Sequence, residues 1–217
     1  MTQKNGTDPV INLDAIRRSD LQQKPFRFFA APGVLSAVDL AVVRADFPDI
    51  REPGVFPLSE LRYGPAFERL IEELTSAEFE DAFSEKYGLD LSDKPMMITV
   101  RGQAQKKDGR IHTDSKMKLI TGLLYLNDLW DEGGGRLRLL RRSDDIEDFI
   151  AEVPPSGGTL VSFQRADNSW HGHKPYIGER RYVMFNWMTS QAALDRELGR
   201  HRFSAKIKQL NPFASRS

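Results

Sequence analysis

The chain has 217 residues, 31 Lys plus Arg against 31 Asp plus Glu, and no cysteine. The even charge balance removes the net basic field on which nucleic-acid and anionic-membrane partners draw, so a small molecule or a peptide is the expected partner. The missing thiols exclude a disulfide framework, a thiolate metal site and a cysteine nucleophile, so any metal must be held by nitrogen and oxygen.

The length suits one domain with helical elaborations, and three regions are expected within it: a helical support at 1–94, a β-rich core at 95–190, and a C-terminal helix with a basic tail at 191–217. Met1 to Pro9 is polar without an apolar stretch, and no run of about 18 apolar residues occurs, so neither export nor a membrane span is indicated and the cytoplasm is expected. Leu35 to Asp46 has helical periodicity after the Pro32-Gly33 breaker. Phe67, Leu70, Ile71 and Leu74 fall at i, i+3, i+4 and i+7, and Thr75 with Glu78 forms a capping box for a second helix through Phe79, Ala82, Phe83 and Tyr87, stopped at Gly88. These apolar residues read as core. A dimer formed through this helical part is compatible with the pattern.

From Lys94 onward the pattern changes to short β-rich runs: Met96 to Val100, Leu119 to Leu126, Arg136 to Leu140, Thr159 to Phe163 and Arg181 to Trp187. Turn signals separate them at Asp108-Gly109, Glu132 to Gly135 and Pro154 to Gly158. Many short strands at this spacing predict a mainly β, α+β fold: a double-stranded β-helix, the cupin-like jelly roll, with the N-terminal helices packed on it. The end of the chain reads as helix, with Leu194 and Leu198 on one face, Gly199 as its stop, and a solvated basic tail from Arg196.

His112 and Asp114 stand at i and i+2, a spacing that aims both side chains to one side of a strand. Alone the pair carries little, because acids are common. Its context carries more: the strand pattern Gly158 to Phe163 leads through a polar loop to Trp170-His171-Gly172-His173-Lys174-Pro175, and Gly178-Glu179-Arg180-Arg181 opens the next β-run. Two histidines and one carboxylate with open coordination positions make the facial triad of non-haem Fe(II) oxygenases.

In these residues the chain resembles the iron- and 2-oxoglutarate-dependent dioxygenases, in particular the prolyl-4-hydroxylase-like branch. The resemblance spans roughly Met96 to Met188: His112-x-Asp114, Tyr125-Leu126-Asn127, Trp130 with the Gly-rich hairpin, Gly158 to Phe163, His171 with Pro175, and Arg181-Tyr182 leading to Trp187. It implies that His112, Asp114 and His171 ligate Fe(II), and that Arg181 and Tyr125 bind the distal carboxylate of 2-oxoglutarate. Ascorbate would be a reductant. The reaction implied is hydroxylation of a free or peptidyl amino acid, or another small molecule, with release of succinate and carbon dioxide. His173 shares the strand parity of His171, and Arg180 adjoins Arg181; the spacing to Pro175 and Phe163 favours His171, and strand position favours Arg181, although Gly178-x-Arg180 points the other way. Arg101, Gln103, Asn168, Trp170, Lys116 and Lys118 are further candidates for pocket walls, and Gln105 to Arg110 for a lid. Two other readings stay open: a cupin-type metalloenzyme that does not use 2-oxoglutarate, and a non-catalytic binding or sensor module. Arg181 with Tyr125 argues against the cupin-type reading, which succinate release on incubation with 2-oxoglutarate would test, and the complete ligand set argues against the binding or sensor module.

Overall fold

The computed structural model of the protein describes residues 8–210, with side chains through residue 200. In chain order the first elements are α1 (Leu13–Arg18), β1 (Phe28–Ala31), α2 (Ala37–Ala45) and β2 (Phe56–Pro57). Pro65 opens α3 (Pro65–Leu74), at a position where its missing N–H loses no helical bond. Phe67, Leu70, Ile71 and Leu74 form the buried face of this helix. α4 (Ala77–Tyr87) is capped by Ser76, whose hydroxyl accepts from the Phe79 N–H, and it ends at Gly88 in the left-handed region. The cap expected at Thr75 therefore moves on by one residue: Thr75 closes α3 instead, its hydroxyl donating to the Ile71 carbonyl at 3.0 Å.

The remaining strands are β3 (Met96–Ala104), β4 (Lys118–Tyr125), β5 (Leu137–Leu140), β6 (Phe149–Val153), β7 (Leu160–Gln164), β8 (His171–Gly172) and β9 (Gly178–Met188), followed by α5 (Gln191–Leu210). They form two antiparallel sheets, one of six strands in the order β1-β7-β4-β9-β3-β2 and one of three in the order β6-β5-β8. This is the jelly-roll core with flanking helices that the sequence predicts. The N-terminal region adds more than helices to it, because β1 and β2 are the two edge strands of the large sheet.

Strand alternation divides the large sheet into two faces. On one, Val183, Phe185 and Trp187 of β9, Ile120 and Leu124 of β4 and Leu160 of β7 pack on Phe67, Phe79 and Phe83 of the helices. On the other, Tyr182, Leu123, Tyr125, Val161 and Phe163 meet Leu137, Leu139 and Val153 of the small sheet. Gly122 lies opposite Phe185 in register, and a Cβ there would run into the Phe185 ring, so the close fit of ring on sheet requires glycine. A register shift between Lys118 and Ile120 breaks the alternation of β4. It brings Lys118 to the same wall as Thr121 and Leu123, between the sheets.

α5 continues through Gly199, where a stop was expected, to Leu210; Ala193 and Glu197 are buried. Most of the expected basic tail lies beyond the described side chains. No helix among the described residues is long and apolar enough to cross a membrane.

Phe83 joins the two parts of the core: its ring lies 4.8 Å from Phe79 and from Trp187 and 5.5 Å from Phe185, centroid to centroid, and it is fully buried. Phe83→Ala is expected to lower the unfolding free energy by about 3–5 kcal/mol, read from urea denaturation. A loss below about 1 kcal/mol would mean that the helices are not anchored through this ring.

Candidate active site

The two candidate metal-binding histidines are brought together by backbone pairing. His112 N–H donates to the His171 carbonyl at 3.0 Å, and His171 N–H returns the bond to His112 at 3.0 Å. Directly opposed residues of an antiparallel pair project to one face, and the two imidazole centroids lie 4.3 Å apart. Asp114, two residues beyond His112, completes a cluster in which one ligand atom from each side chain lies within 4.8 Å of the others.

Each imidazole is held through the nitrogen that a metal would not use. Nδ1 of His112 contacts the Arg110 carbonyl at 2.8 Å, and Nδ1 of His171 contacts the Ser169 carbonyl at 3.0 Å. A carbonyl can only accept, so both Nδ1 atoms carry the proton and both Nε2 lone pairs are free to ligate. Burial disfavours the charged form of His171 and lowers its pKa to about 4, although Asp114 pulls the other way.

Burial would raise the pKa of Asp114, but Lys118, His171, the Thr121 hydroxyl and His112 together hold it at about 2. Lys118 Nζ lies 3.2 Å from Asp114 Oδ1, and the Thr121 hydroxyl donates to Oδ2. Asn186 Nδ2 in turn donates to Thr121 Oγ1 at 2.8 Å, so the chain Asn186, Thr121, Asp114 fixes the carboxylate rotamer. An ionised carboxylate and two imidazoles, closely grouped, suit a divalent first-row metal of the Fe(II) type.

These groups face a cavity of about 210 Å³ between the sheets, whose wall also includes Arg180, Tyr182 and Met184 of β9, Arg101 of β3, Asp108 and Gly109 of the following turn, and His173. Arg180 is 2% exposed. Its Nε donates to the Gly135 carbonyl at 2.8 Å, its Nη2 lies 3.4 Å from Tyr125 Oη, and the guanidinium stands over the rings of Tyr125 and Tyr182 at 5.4 and 5.2 Å. No carboxylate among the described residues makes an ion pair with it. Burial raises the pKa of Tyr125 to about 12, so the phenol keeps its proton as a donor.

Arg181, expected in this position, points the other way. Its Nη2 pairs with Glu179 at 2.7 Å, and its guanidinium lies 5.2 Å from the centre of the Phe47 ring. The reason is parity: Arg181 shares the odd-numbered face of β9 with Val183, Phe185 and Trp187, the face covered by helices. Arg180 takes the cavity side with Tyr182 and Met184.

His173 lines the cavity outside the metal cluster. Its Nδ1 contacts the Lys174 carbonyl at 2.8 Å and its N–H donates to the Gly109 carbonyl at 2.9 Å. Burial, with the nearby charges of Arg180 and Arg101, lowers its pKa to about 4. Gly109 has φ +85°, and a Cβ on it would collide with the His173 ring. Of the other candidates, Arg101 and Lys118 line the cavity, whereas Gln103, Lys116, Asn168 and Trp170 do not. Asn168 is instead tied to the Pro25 carbonyl at 2.8 Å. The segment Gln105 to Arg110 is a hydrogen-bonded turn pinned to the cavity wall through Asp108. Thr121 and Asn186 went unnoticed in the sequence, where the only signal was a polar residue inside each of two apolar strands.

Residues 99–189 match the 2OG-Fe(II) oxygenase superfamily. No curated protein matches the chain significantly. Among solved structures, a prolyl-4-hydroxylase of Pseudomonas putida is similar with a TM-score of 0.56 and 18% identity, over 82% of this chain and 98% of its own. A viral collagen prolyl hydroxylase from Paramecium bursaria Chlorella virus-1, in complex with 2-oxoglutarate, gives 0.50 and 17% over 75% of this chain and 95% of its own. HygX from Streptomyces hygroscopicus, with nickel and 2-oxoglutarate bound, gives 0.50 and 15% over 74% and 82%. At these identities the likeness is one of fold, and the family match covers the segment that contains the His-Asp-His cluster. The match to the 2OG-Fe(II) oxygenase superfamily is thus to the segment 99–189, and together with the His-Asp-His cluster inside it supports a 2-oxoglutarate-dependent dioxygenase that uses Fe(II).

Proposed function

We propose that His112, Asp114 and His171 hold the Fe(II), that Arg180 and Tyr125 bind the distal carboxylate of 2-oxoglutarate, and that the enzyme hydroxylates a small-molecule or peptidyl substrate, releasing succinate and carbon dioxide. The observation that carries this reading is Arg180: a buried guanidinium with no carboxylate partner among the described residues, in the same cavity as the His-Asp-His cluster. A buried cation without an anion is costly, and a dicarboxylate that reaches from the metal to Arg180 would remove that cost.

With Fe(II), 2-oxoglutarate and dioxygen bound, the site supplies the oxidising power for inserting oxygen into a C–H bond. The chain's own residues do the positioning. The paired backbones of His112 and His171 set the separation of the two Nε2 donors, and the Ser169 and Arg110 carbonyls fix their tautomers. Thr121 and Lys118 keep Asp114 ionised and in one rotamer. Arg180 is anchored through Nε, which leaves its outer donors for two parallel bonds to a carboxylate, and the protonated Tyr125 adds a third. Phe163, Leu123, Leu137 and Met184 give the cavity apolar walls that limit water near the metal.

Asp114→Ala is expected to lower succinate formation by about 100-fold or more while the thermal midpoint of the folded protein survives. Retention of 2-oxoglutarate-coupled product formation in that variant would remove Asp114 from the ligand set. Arg180→Gln should raise the KM for 2-oxoglutarate by roughly 10- to 100-fold, and Arg181→Gln should leave it within about twofold of the parent. The reverse pattern would return the anchoring role to Arg181.

The metal-free protein should also be acid-sensitive through its imidazoles. Burial holds the pKa values of His171 and His173 at about 4 in the fold, below the ordinary imidazole value of 6.5, so between those limits the unfolded chain binds protons that the folded one does not. Stability is then full above about pH 6.5 and falls as the pH drops towards 4, by roughly 1.4 kcal/mol per pH unit for each histidine. Urea midpoints for the chelator-treated protein that stay level from pH 7 to 5 would contradict this environment.

A further inference from the structure

Arg101 has no part in holding the iron or the co-substrate, yet it is a wall of the same cavity. It stands on β3, its side chain 11% exposed, and its Nη1 is paired with Asp108 on the turn that follows. Its Nε is buried and makes no hydrogen bond, while Asp108 and the Tyr182 hydroxyl interact with the rest of the guanidinium. A buried guanidinium donor without an acceptor is expected to be satisfied by something that enters the cavity. The edge carrying Nε is the one with which guanidinium makes two parallel bonds to a carboxylate.

The charges of the cavity point the same way. Its wall carries Arg101, Lys118 and Arg180 against Asp108 and Asp114, one positive charge in excess. A dication at the metal cluster and a dicarboxylate on Arg180 cancel each other, so the excess remains for the substrate. One carboxylate balances it, whereas a phosphate dianion would overshoot. The guanidinium is also held in place: Asp108 fixes it by one arm, and Asp108 is itself fixed by the Gln105 N–H at 3.0 Å, so little freedom is lost when an anion binds. The adjoining cleft, which shares Asp108, Gly109 and His173 with the cavity, is rimmed by Lys106, Lys107, Arg110 and Lys174. A basic rim of this kind raises the encounter rate of anions.

We infer that the primary substrate carries a carboxylate, and that Arg101 binds it through its Nε edge, making Arg101 a specificity residue of this oxygenase. The inference rests on the assignment of the metal and 2-oxoglutarate sites above. Two sources share this chemistry, a free carboxylic acid and the side chain of a peptidyl aspartate or glutamate.

The test is calorimetric titration of the protein loaded with Mn(II) and 2-oxoglutarate. The probes are free L-amino acids and simple aliphatic acids, each beside its amide, together with N-acetyl aspartyl and glutamyl amides. At least one acid is expected to bind about 10- to 100-fold more tightly than its amide. That preference should vanish in Arg101→Gln, with the dissociation constant for 2-oxoglutarate within about twofold of the parent. The double variant Arg101→Gln/Asp108→Asn removes the ion pair without stranding a buried carboxylate, and it should behave in the same way if the single variant folds poorly. Binding of free acids alone identifies a small-molecule substrate, and binding of the blocked aspartyl or glutamyl amides alone identifies a peptide side chain; both uphold carboxylate recognition. Equal binding of acids and amides by the parent, binding of neither, or a preference that survives in both variants would overturn it. Failure of 2-oxoglutarate itself to bind the Mn(II)-loaded parent would instead sink the underlying site assignment.

Discussion

Strand β9 runs through the middle of the large sheet with each of its faces in a different environment. Its odd-numbered side chains, Val183, Phe185 and Trp187, are locked among the aromatic rings of α3 and α4, and its even-numbered ones, Arg180, Tyr182 and Met184, face the cavity. A slip of one residue would place a guanidinium among phenyl rings and an indole in the cavity, a cost no other contact could offset. The packing of the helices on Phe185 and Trp187 therefore fixes the phase that puts Arg180 beside Tyr125. In this sense the hydrophobic core decides which of two adjacent arginines is available to a ligand.

The same cavity shows how ionisable groups can be kept ready for a metal. Two histidines are oriented by carbonyls that accept from Nδ1, burial keeps His171 neutral, and a carboxylate stays ionised because Lys118 and Thr121 act against the effect of burial. Lys118 reaches that position only through the register shift at the start of β4, a local irregularity that serves the site rather than the sheet. Asn186 and Thr121 extend the support one step further, so the ligand set is oriented by side chains that themselves belong to the central strands.

Much of this was legible in the sequence because it is periodic. The i, i+3, i+4, i+7 pattern of Phe67 to Leu74 and the apolar runs of β4 and β7 give their elements directly, and the i, i+2 spacing of His112 and Asp114 survives in space. The edge strands β1 and β2 and the short β6 left no such trace, since four residues, two residues and an amphipathic five-residue run do not establish a period. The choice between Arg180 and Arg181 failed for a related reason. Trp187 lies an even number of residues from Arg181, which places the two on one face, but only the packed helices reveal that this face is turned from the cavity. The Gly178-x-Arg180 spacing was the signal that pointed to the arginine in the cavity wall. Lys118 was among the candidate pocket residues, but its pairing with Asp114 was not legible, because a bulge cannot be counted from strand alternation.

The central claim is that one cavity holds a metal on His112, Asp114 and His171 and a dicarboxylate on Arg180. The most direct measurement is a crystal structure of the protein with Mn(II) and 2-oxoglutarate. The expected result is Mn(II) on Nε2 of both histidines and on the Asp114 carboxylate, with the distal carboxylate of 2-oxoglutarate against Arg180 and Tyr125. Metal bound by His173 in place of His171, or a distal carboxylate that leaves Arg180 without an anion, would contradict it.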